Sequence, residues 1–400
     1  MCEPGRIEGI ASHWGSLGFG GNASVHKENV GLDVVRGLAA FLVVLGHTRN
    51  FVGEGLRADL TASIWQKLLL LPTSFAQESV ALFFVLSGYL VGGQVLRELR
   101  EGRFLWRIYL SKRLSRLWTV LIPGILVTFA VDSLSVRLFP SVWSKVAGGP
   151  VDAVTAACNV VFLQRTRCSP YGSNDSLWSL AYEFWFYILF AAVAAFAWGI
   201  VRRQWAALAL GLLVAAGAVG LFGIGLLSLM PAWLLGTCLA VLHARWKAKR
   251  IPAWFLLSRI RMLYLFTAVT VAGMLLSNLI SPPEWLRFLI VGVACAPLIL
   301  LTAVAPWGGG SLVAKRIASL GLISFSLYVF HLPLVKFIVG LLSGTGGFGA
   351  LGNIVSVYAV AALVAVCCVP LWSVTERHTG RVRDRLLGLM GAKPKPLHAE

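Results

Sequence analysis

Runs of about 18 or more apolar residues recur along this chain, separated by short polar stretches, and helical runs of that length match the hydrocarbon core of a bilayer. Ten segments carry the pattern: 34–52, 78–96, 117–135, 177–200, 205–222, 225–242, 262–280, 286–304, 319–342 and 352–373. They predict an all-α, polytopic integral-membrane bundle of about ten transmembrane helices, with both termini on one side. A polar, Gly-rich leader (1–31) precedes the membrane domain (32–375), and a basic tail (376–400) follows it. The leader lacks a basic stretch running into an apolar one, so the first span is expected to act as an uncleaved anchor. The tail is too short for an appended soluble domain. The longest loop, 139–173, has room for a short helix or a lid. Gly308 to Gly310 follow no strand and read as a flexible connector rather than a phosphate loop.

Composition excludes a soluble domain. Hydrophobic residues make up 58% of the 400 and charged ones 13%. Soluble domains hold about 45–50% and about 25%. The net charge of +18 points first to nucleic acid, but its placement argues otherwise. With the termini in the cytoplasm, 26 of the 35 Lys and Arg residues fall on that side, 8 on the other, and Lys336 inside a span. This is the positive-inside asymmetry, with attraction to anionic membrane lipids and a phosphate-bearing cytosolic ligand as further consequences. Seven cysteines show no metal-ligand spacing and no metal is expected. Four lie in apolar spans as buried thiols. Cys158 and Cys168 share the long outer loop, where an oxidising exterior permits a disulfide that their spacing alone does not fix.

Ionisable groups inside a span cost about 2.5–3.5 kcal/mol at its centre, so each needs a reason. The first span holds Arg36 and His47, eleven residues apart. At about 100° and 1.5 Å per residue they lie about 20° from one line and about 16 Å apart along the axis. Asp33 falls near the same line, within reach of Arg36. Taken singly, Arg36 also fits a snorkelling anchor and His47 a packing histidine; their shared face favours a joint role. In the fourth span, Ser176, Ser179, Glu183 and Tyr187 recur at spacings of three and four. In the ninth, Ser324, Tyr328 and His331 do the same, and Pro333 is expected to loosen the helix beside His331. Ser87-Gly88 in the second span fits close helix packing, and no nucleophile elbow surrounds Ser87. Arg113 and Arg116, three residues apart before the third span, fit either solvated positive-inside charge or a grip on phosphate.

In order along residues 32–378, these stretches resemble the acyltransferase family three of integral-membrane O-acyltransferases, which modify bacterial polysaccharides, lipids and related acceptors. Asp33, Arg36 and His47 match the family's opening pattern; "FFVLSGYL", "KRLSRLW", "LWSLAYEFWFY", "ISFSLYVFHLPL" and "WSVTERH" match its later ones. The acid or glycine often found before "LFFVLSG" is replaced by "ESVA", which leaves Glu78 as the nearby polar group, and no esterase-like domain follows. The resemblance implies an acyl-CoA co-substrate, most often acetyl-CoA, no permanently bound cofactor, a glycan, glycolipid or other hydroxyl acceptor, and a bacterial inner membrane. It makes His47 and Glu183 the candidate catalytic residues, and Arg36, Arg113 and Arg116 the acyl-CoA-binding ones. Asp33, Ser87, Asn174, Tyr182, Ser324, Tyr328 and His331 are expected to bind acceptor or support the site. Glu183 is expected to orient His47 or bind acceptor hydroxyls, and Tyr328 or Ser324 to donate to an oxyanion. The rival is a transporter or flippase with Arg36, His47, Glu183 and His331 as its polar path; no inverted repeat of broken helices supports it.

Overall fold

The computed structural model describes residues 29–52, 63–146, 148–202, 224–249, 258–304, 319–344 and 354–391, with isolated positions from 209 to 220. Among the described residues there are helices and no strands. In chain order they are α1 (Val30–Val52), α2 (Ile64–Leu70), α3 (Ala76–Ser87), α4 (Gly93–Arg100), α5 (Trp106–Leu138), α6 (Pro140–Val146), α7 (Ala153–Val160), α8 (Trp178–Arg202), α9 (Met230–Lys249), α10 (Arg259–Ile280), α11 (Glu284–Val304), α12 (Ser324–Gly344), α13 (Ile354–Val374) and α14 (Thr379–Leu389). Eight helical segments in the described residues are long and apolar enough to cross a membrane. The chain is an all-α, multi-pass integral-membrane bundle. The segment expected at 225–242 appears as α9, displaced toward its basic end, and the one at 205–222 lies almost wholly outside the described residues.

Helices α1 and α12 pack on each other and on α5, α3 and α13, so the two histidine-bearing spans lie side by side. Small residues make these approaches possible. A Cβ on Gly321 would stand 2.3 Å from the Asp33 carbonyl oxygen, and one on Gly37 2.7 Å from the Gly321 nitrogen. The second span carries a π-turn at Gly88–Gly92 between α3 and α4. There a Cβ on Gly88 would fall 1.8 Å from the Trp233 carbonyl oxygen, and one on Gly236 1.9 Å from that of Val85. The Ser87-Gly88 pair therefore does what its small size predicts: it seats α9 against the second span. It also turns the Ser87 hydroxyl toward α8.

Pro333 acts as expected and more specifically. Its missing N–H leaves the carbonyl of Val329, four residues earlier, without its helical donor. The Asn174 amide supplies one, with Nδ2 2.9 Å from that oxygen. The long loop is folded against the bundle. It contains α6 and α7, and the Asp132 carboxylate at the end of α5 accepts from the Ser173 backbone N–H (2.8 Å) and hydroxyl (2.6 Å). Asp152 caps α7 by accepting from the Thr155 backbone N–H, which holds its carboxyl below the ordinary aspartate range. Cys158 and Cys168 form the disulfide that sequence left open, with their Cα atoms 6.5 Å apart.

Candidate active site

Polar side chains occupy the interior at three levels along the bundle. At the first, near the start of α1, Arg36 Nη1 lies 3.4 Å from Asp33 Oδ1, and Nη2 donates to Ser324 Oγ at 3.2 Å. The Ser324 hydroxyl in turn donates to the Gly321 carbonyl (2.7 Å). Arg116 stands over the Phe325 ring at 5.7 Å. Buried Glu376, from the closing "TERH" stretch, accepts from the Ser326 backbone N–H (3.0 Å) and hydroxyl (2.8 Å), in the electrostatic field of Arg116 and Arg36. Arg36 and Arg116 thus share one end of the bundle and one counter-charge.

Arg113 takes a different setting from Arg116, although both sit on α5. Its guanidinium lies 5.3 Å from the Tyr109 ring centre and 5.4 Å from that of Tyr187, and Nη2 donates to Gln94. Cation–π contact of this kind holds a guanidinium in place where water is scarce. Tyr187 then leads to the second level. Its hydroxyl donates to Glu183 Oε1, which also accepts from Ser87 Oγ (3.2 Å), while Trp233 Nε1 donates to Ser87 Oγ at 3.2 Å. Glu183 is half-buried, and these bonds go to Ser87 and Tyr187 rather than to His47.

The third level holds both intramembrane histidines identified by sequence. The rings of His47 on α1 and His331 on α12 have centroids 5.1 Å apart. His331 is fully buried, whereas His47 is partly accessible. His331 Nδ1 is 2.7 Å from the Tyr328 carbonyl oxygen, which can only accept, so the neutral ring carries its proton on Nδ1. Its Nε2 is then a lone-pair nitrogen, buried and without a hydrogen-bond partner. The Tyr328 ring is 5.8 Å from that of His331, and its hydroxyl pairs with Ser179 Oγ at 2.6 Å. Asn174 accepts from Ser176 Oγ (2.6 Å) and, through Nδ2, props the opened turn of α12. Tyr182 packs on Trp178 and Phe186, at ring distances of 5.6 and 6.0 Å, away from this network.

Sequence reasoning assigned Lys336 only to a span; the structure gives it a place beside the histidines. It is 2% exposed, its ammonium donates to the Ser173 carbonyl (2.9 Å) and lies 3.1 Å from Asp175 Oδ2, and it stands over the Phe51 ring at 5.3 Å. His47 lies within the field of both Lys336 and Asp175. A lone lysine in an apolar span, five residues past His331 and three past Pro333, was the available signal. Tyr187 was visible at helical spacing from Glu183, but its bond to that carboxylate required the fold. Among the described residues, no cluster of His, Cys, Asp and Glu forms a metal site.

The multi-pass helical bundle thus carries buried or half-buried arginines at one end, a bonded carboxylate, and a pair of facing histidines. The chain belongs to the acyltransferase family three: the profile of the family's acyltransferase domain matches residues 29–373. It is accordingly a membrane acyltransferase. No curated protein and no solved structure matches it.

Proposed function

We propose that the protein transfers an acyl group, acetyl foremost, from cytosolic acyl-CoA to a hydroxyl of a glycan, glycolipid or related acceptor at a bacterial inner membrane. The observation that carries this reading is the arrangement of α1: partly accessible Arg36 at one end and His47, facing His331, about 16 Å further along the same helix. The donor's phosphates bind at the Arg36–Arg116 end, where guanidinium groups offer paired donors to phosphate oxygens. Arg113, sandwiched between tyrosines, lends its charge to the same end. The narrow thioester arm runs along the polar interior to the histidines. The lopsided distribution of Lys and Arg supports cytoplasmic termini, and a disulfide in the 139–173 loop fits an oxidising outer face.

At the histidines, the acceptor oxygen attacks the thioester carbonyl carbon while His47 takes the hydroxyl proton. The C–S bond then breaks, the carbonyl re-forms as an ester, and the proton passes to the departing CoA sulfur. His331, with Nδ1 committed to the Tyr328 carbonyl, presents an unpartnered Nε2, and its ring faces that of His47 at 5.1 Å. A closer approach of the two rings in the reacting complex would let Nε2 accept from His47 and orient that ring. Asn174, by holding the Val329 carbonyl, keeps the turn below His331 in register. Tyr328 stands beside His331, but its hydroxyl is bonded to Ser179 Oγ and donates to the Ser176 carbonyl (3.2 Å), so it serves a developing oxyanion only by exchanging that bond. Ser324 lies at the Arg36 end, its proton donated to the Gly321 carbonyl. Glu183, Ser87 and Tyr187 line the route between the two ends as a bonded group. Mass spectrometry of surface glycans and lipids from cells with and without the protein tests the reaction. The reading expects one acyl substituent to disappear with the protein; an unchanged acylation pattern overturns it.

A further inference from the structure

The Lys336–Asp175 pair lies one helical turn beyond His47, and no step above uses it. Phe51 stands four residues past His47, so it falls about 6 Å further along α1 on nearly the same side. The Lys336 ammonium sits over the Phe51 ring at 5.3 Å and lies 3.1 Å from Asp175 Oδ2. The charges of both groups are felt at His47. Asp175 therefore belongs to the end of the site away from Arg36, on the approach to His47.

The backbone on either side of this carboxylate is fixed. Asn174 before it donates to the Val329 carbonyl (2.9 Å), and the Ser176 carbonyl after it accepts from the Tyr328 hydroxyl (3.2 Å). Both bonds go to α12 just ahead of His331. Asn174 and Ser176 are buried, yet the Asp175 side chain is 58% exposed. Buried Lys336 holds Oδ2 from the inside, and Oδ1 has no hydrogen bond among the described residues. Asp132 makes the contrast. It is buried, and both of its oxygens accept from Ser173, so it fastens the loop and has nothing left to offer. Asp175 is the carboxylate left open. An ionised carboxylate only accepts, at about four lone-pair sites, so one lysine contact leaves most of them for hydroxyl donors.

We infer that Asp175 binds the acceptor: Oδ1 and the open side of Oδ2 take two adjacent hydroxyls of a neutral sugar and hold a further hydroxyl of the same molecule at His47. The acceptor class is a polyol with a vicinal diol rather than a lone alcohol. The link to His47 rests on the acyltransfer reading, whereas binding of the diol does not depend on acyl-CoA.

The test is saturation-transfer NMR on the purified full-length protein in phosphatidylcholine nanodiscs, without acyl-CoA. The methyl glycosides of glucose, galactose and mannose are compared with tetrahydropyran-2-methanol, which keeps the ring and one hydroxyl but has no diol. At least one glycoside is expected to bind about 10-fold more tightly than the mono-alcohol, the margin of one hydrogen bond to a charged group. Asp175→Ala should erase that margin. Asp175→Asn, which keeps a carbonyl acceptor without the charge, should leave part of it. Three glycosides that bind no better than the mono-alcohol, or the same margin in Asp175→Ala, overturn the subsite. In thiol-release assays with the glycoside that binds, Asp175→Asn should raise the acceptor KM far more than it moves the acetyl-CoA KM. A loss confined to kcat, with both KM values unmoved, would make Asp175 a loop clamp and overturn the binding role. Because the NMR samples hold no acyl donor, their result stands whether or not CoA release is seen.

Discussion

The imidazole of His47 faces that of His331 at 5.1 Å, across the contact between the first span and the ninth. One ring is partly accessible and the other is buried with its proton fixed on Nδ1. The two rings therefore differ in setting, and the proposed mechanism assigns contact with substrate to the accessible one, His47.

Variants at His331 separate a positioning role from a packing one. Asparagine can keep the donor to the Tyr328 carbonyl while removing the Nε2 acceptor. His331→Asn is expected to lower kcat by about 10²-fold, the scale of acid–base assistance, with KM for acetyl-CoA little changed. His331→Gln, which places a polar atom nearer the Nε2 position, should recover part of the loss. Matched kcat and KM values for the two variants would contradict this role.

At the other end, Arg36→Ala should raise the acetyl-CoA concentration needed for half-maximal rate by about 10- to 100-fold, the worth of one charge-assisted contact. The acceptor requirement should move far less. Initial rates with each substrate varied in turn distinguish the two, and an unchanged donor dependence would count against a phosphate grip at this end.

Lys336 tests the link between the long loop and the histidines. Lys336→Met removes the ammonium that holds the Ser173 carbonyl and Asp175, and so loosens the loop where it meets α12. A lower midpoint of thermal unfolding and a reduced kcat are expected together. Asp175→Asn should have the smaller effect, because that carboxylate is 58% exposed and water screens it.

The Cys158–Cys168 bond closes a loop with a sequence separation of 10, and crosslinks of this type contribute about 2–4 kcal/mol. Replacing both cysteines with serine should lower the unfolding midpoint and make the loop more open to limited proteolysis near Arg165 and Arg167. An identical melting curve and cleavage pattern would show that the remaining contacts of the loop suffice.

What sequence could reveal follows from what is local. Apolar run length located the described spans, since it needs no knowledge of neighbours. The alignment of Arg36 with His47 came from helical arithmetic within one segment. Contacts between helices were another matter. The spacing of Glu183 places Tyr187 on its own face, but nothing in it shows the bond to Ser87 of another span, or that Arg113 and Arg116, three residues apart, end in different surroundings. Those outcomes depend on where Gly88, Gly236 and Gly321 let backbones meet. Pro333 lies between the two cases: its effect on α12 was readable, but the Asn174 amide that repairs the gap comes from a distant loop.

The central claim is that His47 performs acyl transfer from CoA. Purified wild-type protein and His47→Ala, each in detergent, can be given acetyl-CoA and a glycan acceptor while free CoA thiol is followed with a thiol reagent. The account predicts acceptor-dependent thiol release by the wild type and its loss in a variant that remains folded and still binds acetyl-CoA. Release by His47→Ala at the wild-type rate, or no release by the wild type with any hydroxyl acceptor, would contradict it.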